Sequence, residues 1–213
     1  MTPSEASRHI LQYMQSIPVL PVLSVDDVRI ARTLALTLVE AGAPVIEVTL
    51  RTPNALAVIE AMAAVDGATI AAGTVLNRMQ LQQAQLAGAQ FVVSPGCTDD
   101  LIAAADHYQI PLLPGAATAS EVMLLAEKGY HLMKFFPAQA MGGAVAISAF
   151  ASPFSHVKFC PTGGINAHNI NEYLSLSNVP FVGASYMVSK QDIQGREWRK
   201  IAAKIRMLTT PEE

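Results

Sequence analysis

Apolar residues along this chain gather in short runs of β-branched and aromatic side chains, each ending at a small, polar, proline or glycine position. Such runs occupy 19–25, 45–50, 69–75, 91–94, 111–113, 132–136, 158–160 and 179–183. Longer segments rich in Ala and Leu lie between them. Runs of this length and composition predict strands, and the intervening segments predict helices. Helices are expected over 28–41, 54–64 and 77–87, and from Thr118 or Ser120 up to Gly129. Their ends carry the residues that helix termini need. Asp26 and Asp27 precede the first, and Gly42, Gly67, Gly88 and Gly129 follow the four. A polar side chain accepts from the unpaired amides at a helix start, and glycine takes up the left-handed turn past its end. A further helix, 3–15, precedes the first strand.

Strands separated by helices must cross over, and so run parallel. The run ends from Ser24 to Ser185 recur about every 23 residues, room for one strand, one helix and two short loops. Eight such units predict an α/β fold: a compact (β/α)8 TIM barrel with an extra N-terminal helix. One domain is expected over 1–213, with the helix at 3–15, the barrel at 19–185 and a C-terminal helical region at 186–213. A doubly wound open sheet would place a glycine fingerprint after its first strand, and Val22-Leu23-Ser24-Val25 contains none.

Composition removes several alternatives. Of 213 residues 51% are apolar and 15% charged, with 14 basic against 17 acidic residues and a formal charge of −3. That is too apolar for a solvated, disordered chain, and it lacks the basic surface that nucleic-acid binding requires. Residues 135–157 carry no charge, yet Pro137, Gly142, Gly143, Pro153 and His156 break them. A bilayer helix needs about 20 apolar residues in one helical run, so no membrane span is expected. Two cysteines, Cys97 and Cys160, cannot build a disulfide framework. With no secretory signal at the start, they point to a reducing, cytoplasmic setting.

In a barrel of this kind the chemistry sits at the C-terminal strand ends. On the second strand Glu47, Thr49 and Arg51 alternate with Val48 and Leu50, so the polar set faces away from the helices. Glu47 read alone is equally a barrel carboxylate neutralised by Arg51. Of the six lysines, only Lys134 lies inside a strand near its C-terminal end, in Leu132-Met133-Lys134-Phe135-Phe136-Pro137. Burying an unpaired ammonium can lower its pKa by up to about 3–5 units. An amine so prepared forms a Schiff base with a carbonyl substrate. With Glu47 to move protons, this is the equipment of a class I aldolase. An ion pair of Lys134 with Glu47 is the structural alternative. Thr162-Gly163-Gly164 after the seventh strand and Gly183-Ala184-Ser185 at the eighth form a candidate phosphate cradle. The five histidines, 9, 107, 131, 156 and 168, are scattered, so no metal is expected.

The ordered set 45–52, Ala72-Gly73-Thr74-Val75, Val93-Ser94-Pro95-Gly96, Lys134-Phe135-Phe136-Pro137-Ala138 and 159–164 resembles the 2-keto-3-deoxy-6-phosphogluconate aldolases. Many members of that family also cleave 4-hydroxy-2-oxoglutarate. The likeness runs from about Ile17 to Ser185. It implies a homotrimeric, metal-free barrel that splits a phosphorylated keto acid into pyruvate and glyceraldehyde 3-phosphate. Lys134 would carry the imine and Glu47 would be the general acid/base. Arg51 and Thr74 would hold the carboxylate, Pro95 and Phe136 would shape the pocket, and Thr162, Gly163, Gly164 and Ser185 would receive the phosphate. The family's usual Glu after Pro-Ala is Gln139 here, and the Asn before its glycine pair is Met141. Related 6-phosphogalactonate aldolases carry Leu-Asn-Ser-Pro in place of Leu50-Arg51-Thr52-Pro53, which favours the gluconate branch. A phosphosugar isomerase or epimerase, with Glu47 as base, and a catalytically silent binding barrel are the competing readings.

Overall fold

The computed structural model describes residues 1–15 and 17–209. Its elements run α1 (Pro3–Tyr13), β1 (Val19–Leu23), α2 (Val28–Glu40), β2 (Val45–Thr49), α3 (Ala55–Ala63), β3 (Thr69–Gly73), α4 (Arg78–Leu86) and β4 (Phe91–Val93). There follow α5 (Asp99–Tyr108), β5 (Leu112–Leu113), β6 (Gly115–Ala116), α6 (Ala119–Glu127), β7 (Leu132–Phe135) and α7 (Gly143–Phe150). The last are β8 (Lys158–Pro161), α8 (Ile170–Leu174), β9 (Val182–Ala184), α9 (Lys190–Gln194) and α10 (Trp198–Thr209). The caps act as their chemistry requires. Asp27 accepts from Arg29 N at the start of α2, Asn77 from Gln80 N at α4, and Thr118 shares a reciprocal pair of bonds with Glu121 at α6.

Every ladder is parallel. One sheet has the order β5-β4-β3-β2-β1-β9 and the other β6-β7-β8. The two meet at Pro114, which separates β5 from β6: Ser94 N donates to Leu113 O on one side, and Lys134 N to Pro114 O (2.8 Å) on the other. At the far edges, Thr162 and Gly183 form an isolated parallel bridge between the β8 and β9 ends. The result is an α/β fold whose parallel strands form a curled sheet.

Several boundaries differ from the sequence pattern. The run at 179–183 becomes strand only from Val182, because Pro180 has no amide to give a ladder. The run at 111–113 continues past Pro114 into β6. Helices α5, α7 and α8 lie where no helix was delimited from sequence, and α9 and α10 fall within the expected C-terminal helical region. The helix expected over 3–15 stops at Tyr13, and residues 210–213 of the expected C-terminal region lie outside the described residues.

Alternation along the strands divides the core in two. Ile46, Val48, Ile70, Ala72, Val92, Met133, Phe135 and Phe159 turn toward the helices and join Leu34, Leu38, Ile59, Leu81 and Leu125 in the larger cluster. Leu20, Val45, Ala71, Phe91, Leu113, Leu132, Cys160 and Phe181 turn to the other face, where Ile10, Met14 and Ile17 pack against them. Each buried Val, Leu, Ile, Phe or Met among them stabilises by about 1.5–3 kcal/mol. The α1 segment thus covers the end at which the strands begin. Its Ser7 hydroxyl accepts from His131 N and Leu132 N (3.3 Å each), tying α1 to the start of β7. Polar groups are left for the opposite end.

Candidate active site

Lys134 is the third residue of β7, with Gly115 beside it on β6 and Cys160 beside it on β8. Glu47 is the middle residue of β2, in the other sheet. Both side chains are almost wholly buried, at 5% and 1% exposure. They nevertheless meet: Lys134 Nζ stands 3.8 Å from Glu47 Oε1. This is a loose pair. A charge-assisted N–H···O bond lies at about 2.7–2.9 Å, and Glu47 Oε1 has no hydrogen-bond partner. The amine also sits 5.1 Å from the centre of the Phe136 ring, on its face.

Two glycines make the room. A methyl group at Gly73 would collide with the Glu47 carboxylate, and one at Gly115 with the Pro95 carbonyl. The Pro95 backbone thus packs directly against Gly115, just past the end of β4. Cys160 lies close enough to feel both charges. Burial pushes its thiol up to about 12, against the opposing pull of Lys134, so it is a neutral thiol and no competing nucleophile.

The remaining expected residues sit on the same rim. Thr49 Oγ1 donates to Leu23 O (2.9 Å) and accepts from Arg51 Nε (3.0 Å), which steers an exposed Arg51 across the strand end. The alternative in which Arg51 neutralises Glu47 is thereby answered: the carboxylate's cation is Lys134. Thr74, just past β3, has φ +61°, a conformation that a β-branched residue adopts only under constraint. Ser185 and Arg51 line one cleft of about 350 Å³ together with Ser24, Ser189 and Lys190. A larger cleft of about 800 Å³, which also contains Arg51, continues outward past Asn54 and Arg196. Thr162 is buried against Gly183, where any Cβ would strike its hydroxyl. Gly163 and Gly164 follow with φ +101° and +80°. Among the described residues their N–H groups donate to no protein acceptor, which leaves two adjacent amides for an anion.

The expected set is thus divided between a central group, Lys134 with Glu47 and the Phe136 ring, and a rim made by the others. Sequence reasoning missed the space-making roles of Gly73 and Gly115, the Thr49 hydroxyl that orients Arg51, and a group of side chains around Gln139 behind the glycine turn. Chemically, the centre pairs a buried primary amine with a carboxylate one atom layer away. Among the described residues no three His, Cys, Asp or Glu are gathered as for a metal ion.

The family model described as "Aldolase: KDPG and KHG aldolase" matches residues 10–204. The chain is 47% identical over 185 residues to a 2-dehydro-3-deoxy-phosphogluconate aldolase of Pseudoalteromonas atlantica, covering 86% of each protein. It is 46% identical to the KHG/KDPG aldolase of Escherichia coli K12, over 86% of this chain and 87% of that one. Among solved structures, a KDPG aldolase from Legionella pneumophila with pyruvate captured as a covalent carbinolamine superimposes with a TM-score of 0.90. It is 39% identical, over 98% of both chains.

Proposed function

The chain belongs to the KDPG and KHG aldolase family, and from that premise we propose that it cleaves 2-keto-3-deoxy-6-phosphogluconate (KDPG) to pyruvate and glyceraldehyde 3-phosphate through an imine on Lys134. It would also cleave 4-hydroxy-2-oxoglutarate (KHG) to pyruvate and glyoxylate. The observation that carries the reading is the buried Lys134–Glu47 pair, 3.8 Å apart with one carboxylate oxygen unpartnered. At that distance a bound substrate or one bridging water can carry a proton between the amine and the carboxylate.

In this scheme the uncharged Lys134 amine adds to the keto carbon, and the resulting carbinolamine loses water to give an iminium ion. Glu47 then takes the proton of the hydroxyl at C4. The C3–C4 bond breaks, its electron pair moves toward the iminium, and the aldehyde leaves. Glu47 returns the proton to C3 of the enamine, and water releases pyruvate and restores the amine. Arg51 and Thr74 would bind the keto-acid carboxylate. Pro95 and Phe136 would wall the pyruvyl pocket. Thr162, Gly163, Gly164 and Ser185 would hold the phosphate, with the free glycine amides as donors.

The test is covalent trapping. Pyruvate with borohydride is expected to leave one irreversible adduct on Lys134 by peptide mass spectrometry, at the same yield with or without chelator. No adduct, or one on another lysine, would reject the imine as assigned.

The same reading extends to architecture. The bridge at Thr162–Gly183 and the two sheets meeting at Pro114 support a closed (β/α)8 barrel over 19–185, as one domain with α1 as an addition. The homotrimer belongs to the same proposal and rests on the family resemblance. Sedimentation at three times the chain mass is expected, and a monomer at micromolar concentration would remove that part. Free thiols at Cys97 and Cys160 support the cytoplasmic setting.

A further inference from the structure

Behind the Gly163–Gly164 turn lies a network that touches none of the reacting atoms. Gln139 follows β7, and its backbone N–H donates to Gly163 O (3.0 Å). Its side-chain Oε1 accepts from two donors: Tyr173 Oη on α8 (2.8 Å) and Asn169 Nδ2 (3.2 Å). Asn169 Nδ2 also donates to Gly164 O (3.0 Å), and Asn166 Nδ2 adds a second bond to that carbonyl (3.3 Å). Asn169 Oδ1 accepts in turn from Asn166 N (2.8 Å). The packing is as tight as the bonding. A Cβ at Gly164 would run into the Cβ of Gln139, and one at Gly163 would press on the Phe136 ring and Pro137 at 3.3 Å. Two consecutive glycines with positive φ have no side chains to hold them in place. Their conformation is imposed by these neighbours.

We infer that Gln139 is a positioning residue for the anion-binding turn: its amide oxygen gathers Tyr173 and Asn169, whose amide holds the Gly164 carbonyl, while its backbone N–H holds that of Gly163, and both glycine amides are left free for a phosphate. The inference rests on the phosphate reading proposed above and assigns to the Gln139 side chain the orientation of Asn169 on the Gly164 carbonyl. What the network needs at position 139 is an acceptor oxygen. A carboxylate supplies that as well as an amide does, and an aliphatic group does not. Gln139 can therefore replace Glu without loss of the turn.

The experiment compares Gln139→Leu, Gln139→Glu and Tyr173→Phe on KDPG and on unphosphorylated KHG, with inorganic phosphate as a competing ligand. Losing one or two bonds of this kind corresponds to about tenfold in binding. Gln139→Leu is expected to raise KM for KDPG and the inhibition constant of phosphate by about that factor. Its kcat, and both constants for KHG, should stay within about twofold of the parent. Gln139→Glu should restore parent behaviour. Tyr173→Phe, which removes a single hydroxyl, should move the same constants in the same direction if Gln139→Leu fails to fold. Pyruvate trapping on Lys134 at the parent yield shows that the centre is intact in each variant. Parent-like KM for KDPG in Gln139→Leu, or equal losses on both substrates, would overturn this inference alone. A parent protein inert toward both substrates would overturn the aldolase reading, and this one with it.

Discussion

Glu47 shows how much of this site is decided by single atoms. Its carboxylate is enclosed, its cation is held off at 3.8 Å, and Oε1 is left without a partner. Gly73 holds the carboxylate's space open. Glu47→Gln keeps that shape and removes the base. The expected result is that pyruvate still traps on Lys134 while KDPG cleavage slows by about 10²-fold or more, measured by single-turnover aldehyde release beside the adduct yield. Cleavage at the parent rate would make Glu47 structural. Both charged residues of the pair were legible in the sequence, because a charge inside an apolar strand run is conspicuous. The roles of Gly73, Gly115 and Gln139 were not. What each does depends on an atom from a distant segment: the Glu47 carboxylate, the Pro95 carbonyl and the Tyr173 hydroxyl.

At the scale of elements, the same distinction explains which boundaries the pattern located. Strands β2, β3 and β7 have their expected starts because apolar runs, cap residues and terminal glycines are local signals, and each acts within a few residues. Element β9 begins late because a proline amide is missing, which only the neighbouring strand makes consequential. The division of β5 from β6 at Pro114 is likewise a matter of partners: Leu113 serves β4 and Pro114 serves β7 through its carbonyl. Helix α7 lies within the uncharged stretch 135–157 that Gly142 and Gly143 interrupt. The same two glycines start the helix, with Gly142 at φ +98° in the cap position. The most informative element is α1. Its Ile10, with Met14 just past its end, joins the inward-facing strand cluster, so one end of the curled sheet is packed with apolar side chains. The sequence pattern located that helix but not the direction in which its buried face points.

The whole molecule is held at its far end by charge. Asp192 on α9, 2% exposed, receives Lys200 and Lys204 from α10 at 2.6 Å each and the Ser189 hydroxyl at 2.7 Å. Helix α10 packs on α2, while Lys190 and Ile193 of α9 line the cleft shared by Arg51 and Ser185. Asp192 therefore ties the C-terminal helices both to the body of the fold and to the rim of the site. Bonds from Lys200, Lys204 and Ser189 hold its carboxyl well below the usual aspartate value of 3.8. The sign of the linkage follows. A carboxyl that ionises more readily when folded adds stability that is fully present above its unfolded value, and that stability is lost as pH falls through the folded value. Asp192→Asn lacks the contribution at every pH. Lys200 and Lys204 keep part of their water, which moderates the loss. The variant is expected to melt a few degrees below the parent at neutral pH, with the difference narrowing once pH drops under about 3.8. Calorimetry across that range decides between causes: a gap that closes in acid is electrostatic, whereas a gap of constant size would assign the loss to packing around α9.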